Sequence, residues 1–242
     1  MEGEPLFPVA VKDAAFTPPD APTYYLLAAN GLFVERRTPL FTASVRVEAG
    51  VPGLRPHDAH LALHLPRLPR SLLERAVGFF RTVFGRWEGE AILVMFCRPP
   101  GDGEPWRFAF DAPPQLIRGR FERGRFRADL RLDYKACEKP GPDYLRLGTI
   151  HSHGNVGPWH SAIDVHDELY DAGLHITAGY VDSPLPEFAA AFVVGRTRFT
   201  VPVDTVLPPF GGARRAPESW MSRITVACQS WSPAWEPRDA AH

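Results

Sequence analysis

The segment GTIHSHGNVGPWHSAIDVHDE, residues 148–168, joins the end of an apolar strand to the start of a helix through a loop bearing Gly154, Gly157 and Pro158. The strand is expected over Leu145 to His151, so His151 and His153 stand two apart at its end. Side chains at i and i+2 of a strand point to one face. Two imidazoles on one face can hold one metal ion. Asp164 lies eleven residues beyond His153, at the start of a helix expected over Ile163 to Ala172. The loop is short enough to fold that carboxylate back onto the histidines. Two histidines and one carboxylate make a three-ligand zinc site with its fourth position open, and such a zinc polarises carbonyls and lowers the pKa of water toward roughly 7.

Hydrolysis at such a site needs a base. Glu90 opens a near-continuous apolar run, Glu90 to Phe96, which reads as a buried central strand. Its carboxylate would then sit at a sheet edge near the metal. Glu88, on the same strand face, is the fallback. Ser161 stands three residues before Asp164, on the same side of one helical turn, where its hydroxyl can stabilise a developing oxyanion. Ser161-Ala162-Ile163-Asp164 is also a serviceable capping box. That plainer reading accounts for Ser161 and Asp164 without any function. It leaves two histidines on one strand face unexplained.

Outward from this segment, Ile176 to Val181, Phe188 to Val194 and Phe199 to Val203 read as three closing strands. Upstream, Arg107 to Phe110 and Arg125 to Leu132 read as strands, the latter alternating through Phe126, Ala128, Leu130 and Leu132. Ser71-Leu72-Leu73-Glu74 has the form of a capping box, and Leu72, Ala76, Phe79, Phe80 and Val83 follow at helical spacing to a stop at Gly85. Nearer the N-terminus, Tyr24 to Ala29 and Leu32 to Glu35 flank Asn30-Gly31, a type I′ hairpin signal, and Phe41 to Val47 is a further strand. The fold class expected is α/β. A small β-rich N-terminal domain, residues 1–66, precedes a domain at 67–209 with a mixed central sheet flanked by helices. A tail, 210–242, carries Trp220, Trp231 and Trp235.

His151-x-His153, seven residues, Ser161, two residues, Asp164 resembles the H-x-H-x(7)-S-x(2)-D signature of the JAMM/MPN zinc metalloproteases. Gly157-Pro158-Trp159-His160-Ser161 is similar to the Gly-x-Trp-x-Ser stretch of that family's proteasome-lid deubiquitinase. The family carries its catalytic Glu at the start of a strand after a long helix, as Glu90 follows the helix at 71–84. The chain departs at Gly154, where eukaryotic members usually have Pro, and at Leu93, where many have Gly. The resemblance covers roughly residues 67–209 and implies the MPN/JAB fold, which is cytidine-deaminase-like. It implies zinc on His151, His153 and Asp164, Glu90 as base and Ser161 as oxyanion donor. The N-terminal residues extend the likeness to bacterial JAB-domain proteins encoded beside ubiquitin-like and activating-enzyme-like proteins, such as protein A of the PRTRC system. The implied partners are a ubiquitin-like protein or its conjugates, with an activating- or conjugating-enzyme-like protein from the same operon. The implied function is an isopeptidase or peptidase cutting after the ubiquitin-like C-terminus. The alternatives are an amidase or peptidase for sulfur-carrier or small-molecule conjugates, and a non-catalytic MPN scaffold.

Bulk composition agrees with a cytoplasmic globular protein. Among 242 residues, 45% are hydrophobic and the net charge is −1, so nothing global points to nucleic acid or a membrane as partner. The N-terminus is acidic where a signal peptide would be basic, and the longest apolar run, Ala91 to Cys97, is too short to span a bilayer. Cys97, Cys137 and Cys228 fit neither a disulfide framework nor a CxxC site, and read as core or inert thiols in a reducing compartment. His57, His60 and His64 lie close together; a second metal site is one reading, but with no HExxH-type acid beside them surface histidines are the preferred one. His160 and His166 read as solvated. Arg118, Arg120, Arg123, Arg125, Arg127 and Arg131 read as a solvated hairpin face.

Overall fold

A computed structural model of the chain describes residues 7–47, 57–101, 103–129 and 132–228. Strands β1 (Val9–Val11), β2 (Thr23–Ala28), β3 (Gly31–Arg37), β4 (Phe41–Arg46) and β5 (His60–Leu63) form one sheet in that order, antiparallel except for β1 beside β2. Helix α1 (Arg70–Trp87) leads into β6 (Ile92–Arg98) and β7 (Arg107–Asp111). Next come β8 (Gln115–Glu122), β9 (Arg125–Ala128) and β10 (Asp133–Tyr134), then β11 (Leu145–Ser152) and α2 (Ala162–Glu168). Strands β12 (Gly173–Gly179), β13 (Glu187–Val194) and β14 (Thr197–Val201) follow, and α3 (Val203–Val206), α4 (Glu218–Met221) and β15 (Ile224–Cys228) end the described chain.

The central sheet has the order β14-β13-β12-β11-β6-β7 and is mixed, with β11 and β12 parallel and the other neighbours antiparallel. A third sheet, β10-β8-β15 with β9 also on β8, stands beside it. The chain is thus mixed α/β but strand-rich. The apolar run of β6 is buried almost throughout, as is all of β12, because both strands are covered on both faces. Helix α1 turns Leu73, Ala76, Val77, Phe79, Phe80 and Val83 into the same core. Among the described residues no helix is long and apolar enough to cross a membrane.

Several local expectations shift. The α1 capping box does not form: Pro69 takes the N-cap position and Ser71 lies within the helix. Glu74 turns inward, 4% exposed, and pairs with Arg214 at 2.5 Å. The helix runs past Gly85 and ends at Glu88, in the left-handed region at φ 52°, whose N–H donates to the Phe84 carbonyl at 2.8 Å. In the first hairpin Ala28 pairs with Gly31, so the two-residue turn is Ala29-Asn30, one residue earlier than the Asn-Gly signal implies. Asn30 is held there by its side chain, which bonds the backbone of His57 in both directions. The helix after Asp164 stops at Glu168, short of the expected Ala172, and Asp171 beyond it pairs with Arg146, at 2.6 Å for one of the two contacts. Leu130, Arg131, Trp231 and Trp235 lie outside the described residues.

One core runs from β4 to α4. Phe41 of the N-terminal sheet packs on Phe192 of β13 at 4.7 Å between ring centroids. Part of the expected tail belongs to the body. Trp220, 4% exposed, meets Phe79 edge-on at 5.9 Å, and β15 pairs in parallel with β8. Trp220→Ala should therefore cost about 3–5 kcal/mol of stability, as buried aromatic truncations do. Urea unfolding checks this, and a loss under about 1 kcal/mol would show that the 210–228 segment is not part of the cooperative core.

Candidate metal centre

Strand β11 lies inside the central sheet, bonded to β6 on one side and β12 on the other. Such a strand is held from both edges, and its end is a rigid platform. His151 pairs across to Ile92 and Thr177. His153 follows the strand, and its N–H donates to the Ala178 carbonyl of β12 at 2.9 Å, which keeps the chain extended. Both rings are buried, 5% and 7% exposed, with Nε2 atoms 3.2 Å apart. The chain then turns at Gly154, φ 57°, where an added Cβ would fall 2.6 Å from the Phe84 ring. Conformation and space both call for glycine there.

The loop returns at Ser161, which caps α2. The Asp164 N–H donates to Ser161 Oγ at 3.2 Å, and the Ser161 N–H donates to Asp164 Oδ2 at 2.7 Å. The capping box is real, and it aims the carboxylate at the histidines rather than competing with them. Asp164 Oδ2 lies 3.2 Å from His153 Nε2, and Oδ1 lies 3.6 Å from His151 Nε2. A tetrahedral ion with bonds of about 2.0–2.1 Å sets its ligand atoms roughly 3.3–3.4 Å apart. The Nε2–Nε2 separation and the His153 Nε2–Asp164 Oδ2 separation, both 3.2 Å, lie close to that spacing, and the second carboxylate oxygen stands 3.6 Å from His151 Nε2. Two imidazole nitrogens facing each other at hydrogen-bond distance need a proton or a cation between them. The donor set fits zinc.

The charges agree. Burial works against the Asp164 carboxylate, but contacts with His151, His153 and Ser161 outweigh it and hold the group well below the usual carboxylate range. Burial also opposes a charge on His153, yet Asp164 and Glu90 raise its pKa above the ordinary value. Glu90 sits two residues before β6 and lines the same cleft, a cavity of about 630 Å³. Burial lifts its pKa to about 7, aided by Asp164 and opposed by His153. Glu88 is elsewhere: it ends α1, is exposed, and bonds Arg127 at 3.3 Å. The structure therefore brings Glu90, His151, His153, Ser161 and Asp164 together and turns Glu88 away. The reason is that α1 continues through residue 87, so Glu88 lies on no strand.

Polar residues that spacing alone did not single out support the site. Thr177 Oγ1 lies 3.5 Å from His151 Nε2 and 3.0 Å from His160 Nδ1. His160, expected in solvent, is half-buried, with Glu168 Oε1 at 3.2 Å and Arg198 on the other Glu168 oxygen. His166 does stand in solvent. Thr177 pairs with His151 across the parallel strands, so its role follows from register, which a single segment does not reveal. On the basic hairpin, Arg118, Arg120 and Arg127 are exposed and paired with Asp133, Glu122 and Glu88. The three cysteines are free thiols, and burial pushes Cys97 up to about 12.

No protein-family model matches the chain, and no curated protein matches it either.

Proposed function

We propose that this chain is a zinc-dependent peptidase or isopeptidase of the JAMM type, hydrolysing the bond after the C-terminus of a ubiquitin-like protein. The observation that carries the reading is the convergence of His151, His153 and Asp164, with the two Nε2 atoms 3.2 Å apart and Asp164 Oδ2 3.2 Å from one of them, beside the Glu90 carboxylate in an open cleft. Zinc at His151, His153 and Asp164 would supply Lewis acidity toward the scissile carbonyl and toward water. Glu90 takes a proton from the attacking water and delivers it to the leaving amine nitrogen. A base with a pKa near neutrality suits both transfers. Ser161 spends an oxygen lone pair on the helix cap, which leaves its hydroxyl proton for the developing oxyanion. Leu132, Tyr134, Val156 and Trp159 line the same cleft and give an extended, largely apolar peptide tail a place to lie.

The test is elemental analysis joined to cleavage of a ubiquitin-like protein fused through its C-terminus to a reporter. One zinc bound at residues 151, 153 and 164, with cleavage stopped by chelator and restored by zinc, is the expected result. Stoichiometric zinc there without cleavage of any such fusion would favour the amidase for smaller conjugates. A site that takes up no zinc would favour the scaffold.

A further inference from the structure

Glu35, Ser44 and His60 form one row across three strands, Glu35 paired with Ser44 and Ser44 with His60. Directly paired residues lie side by side on one face of a sheet. His57, ahead of β5, lays its ring on this row, edge-on to Phe33 at 4.6 Å between centroids. Its Nε2 is 2.9 Å from Glu35 Oε1 and 2.5 Å from Ser44 Oγ. One donor atom from each of Glu35, His57 and His60 lies within 4.8 Å of the other two. Glu35 and His57 are buried, 5% and 8% exposed, while His60 stands at the surface. A carboxylate buried next to Tyr24 and Phe33 needs a hydrogen-bonding or charged partner; the His57 ring supplies one, and a cation held between the two would supply a stronger one.

We infer that this row is a second zinc site, with Glu35, His57 and His60 as ligands and Lys12 as an internal competitor for the ion. Two histidines and a glutamate are a proven zinc donor set. Lys12 Nζ lies 2.5 Å from His57 Nδ1. A metal-binding histidine ordinarily turns its other ring nitrogen to an acceptor, so an ammonium there opposes loading. Lys12 is half-buried on a four-carbon stem, and its amine can swing to solvent as the ion enters. Once bound, the ion ties the lead-in of β5 to β3, which makes the site structural and independent of the cleft chemistry. The chain spacing hides it, since Glu35 precedes His57 by 22 residues and joins it only through sheet register.

Elemental analysis and zinc titration of the full chain, against a competing chelating dye, test this. Wild type should bind two zinc ions. Glu35→Gln and His60→Asn should each bind one, His151→Asn should bind one, and Glu35→Gln with His151→Asn should bind none. His60 is exposed, so its substitution leaves the fold intact. Lys12→Gln should tighten the second site severalfold. A wild-type chain that binds a single zinc, lost with His151→Asn and unchanged in Glu35→Gln and His60→Asn, overturns the proposal whatever the cleft turns out to do.

Discussion

Glu90→Gln should lower kcat by about 10²–10⁴-fold, the usual worth of a positioned general base, while zinc content stays that of the wild type. The side chain lines the cleft and feels the charges of His153 and Asp164. No hydrogen bond ties it down among the described residues. Glutamine keeps the size and the polarity and removes only the capacity to take a proton. The wild-type rate should rise with pH on the acid side as Glu90 ionises, and the residual rate of the variant should lack that limb. A variant with wild-type kcat, or one that loses zinc in step with activity, would remove Glu90 from the role of base.

The same carboxylate should weaken the metal-free fold. Its pKa in the folded chain is raised from 4.5 to about 7, so the folded state binds this proton more tightly than the unfolded chain. The stability this proton confers is present below the unfolded value and is lost as pH rises through the folded one. Metal-free Glu90→Gln should therefore melt above the metal-free wild type at pH 8 and alongside it at pH 4. A buried carboxylate that costs stability where it sits, with no hydrogen bond among the described residues, is what the proposed role as base would leave behind.

How much of this was legible beforehand follows from how local each signal is. His151, His153, Ser161 and Asp164 fall within one strand, one loop and one helical turn, so spacing alone brings them together. Glu90 was readable because the buried run after it has one polar end. The end of α1 was not, because Gly85 reads as a stop while the packing of Trp87 against the core carries the helix on. Strands β8 and β10 leave no clear pattern in the sequence, because QLIRGRFE mixes arginine into its alternation and β10 is two residues long. The grouping of His57 with Glu35, and of His160 with Glu168 and Thr177, depends on register between strands and on loops folding back. Glu35 and His57 lie 22 residues apart, and Thr177 lies 17 beyond His160; only His160 and Glu168 share the segment 148–168, and there the loop fold, not the spacing, brings them together.

Asp164→Asn separates the two tasks of that residue. The amide is nearly the same shape and can still accept from the Ser161 N–H, so α2 should keep most of its cap. As a ligand it is neutral where the ion wants charge. Removing a mere hydrogen-bond partner of a metal ligand costs about 10–100-fold in affinity, and losing the ligand itself should cost more. Zinc should leave the Asn variant on dialysis, and activity should fall to background with it. Ser161→Ala is the matching control, since it breaks the cap, at about 1 kcal/mol, without touching the ligand set. It should keep zinc and lose rate through the missing oxyanion donor, about 10²–10³-fold. Protons compete for the same atoms, and His153 holds its proton more tightly than an ordinary histidine. Wild-type zinc affinity should accordingly fall as pH drops toward and below neutrality. If Asp164→Asn kept its zinc and its rate, the carboxylate would be a helix cap and nothing more, and the site would have to be rebuilt around the two histidines alone.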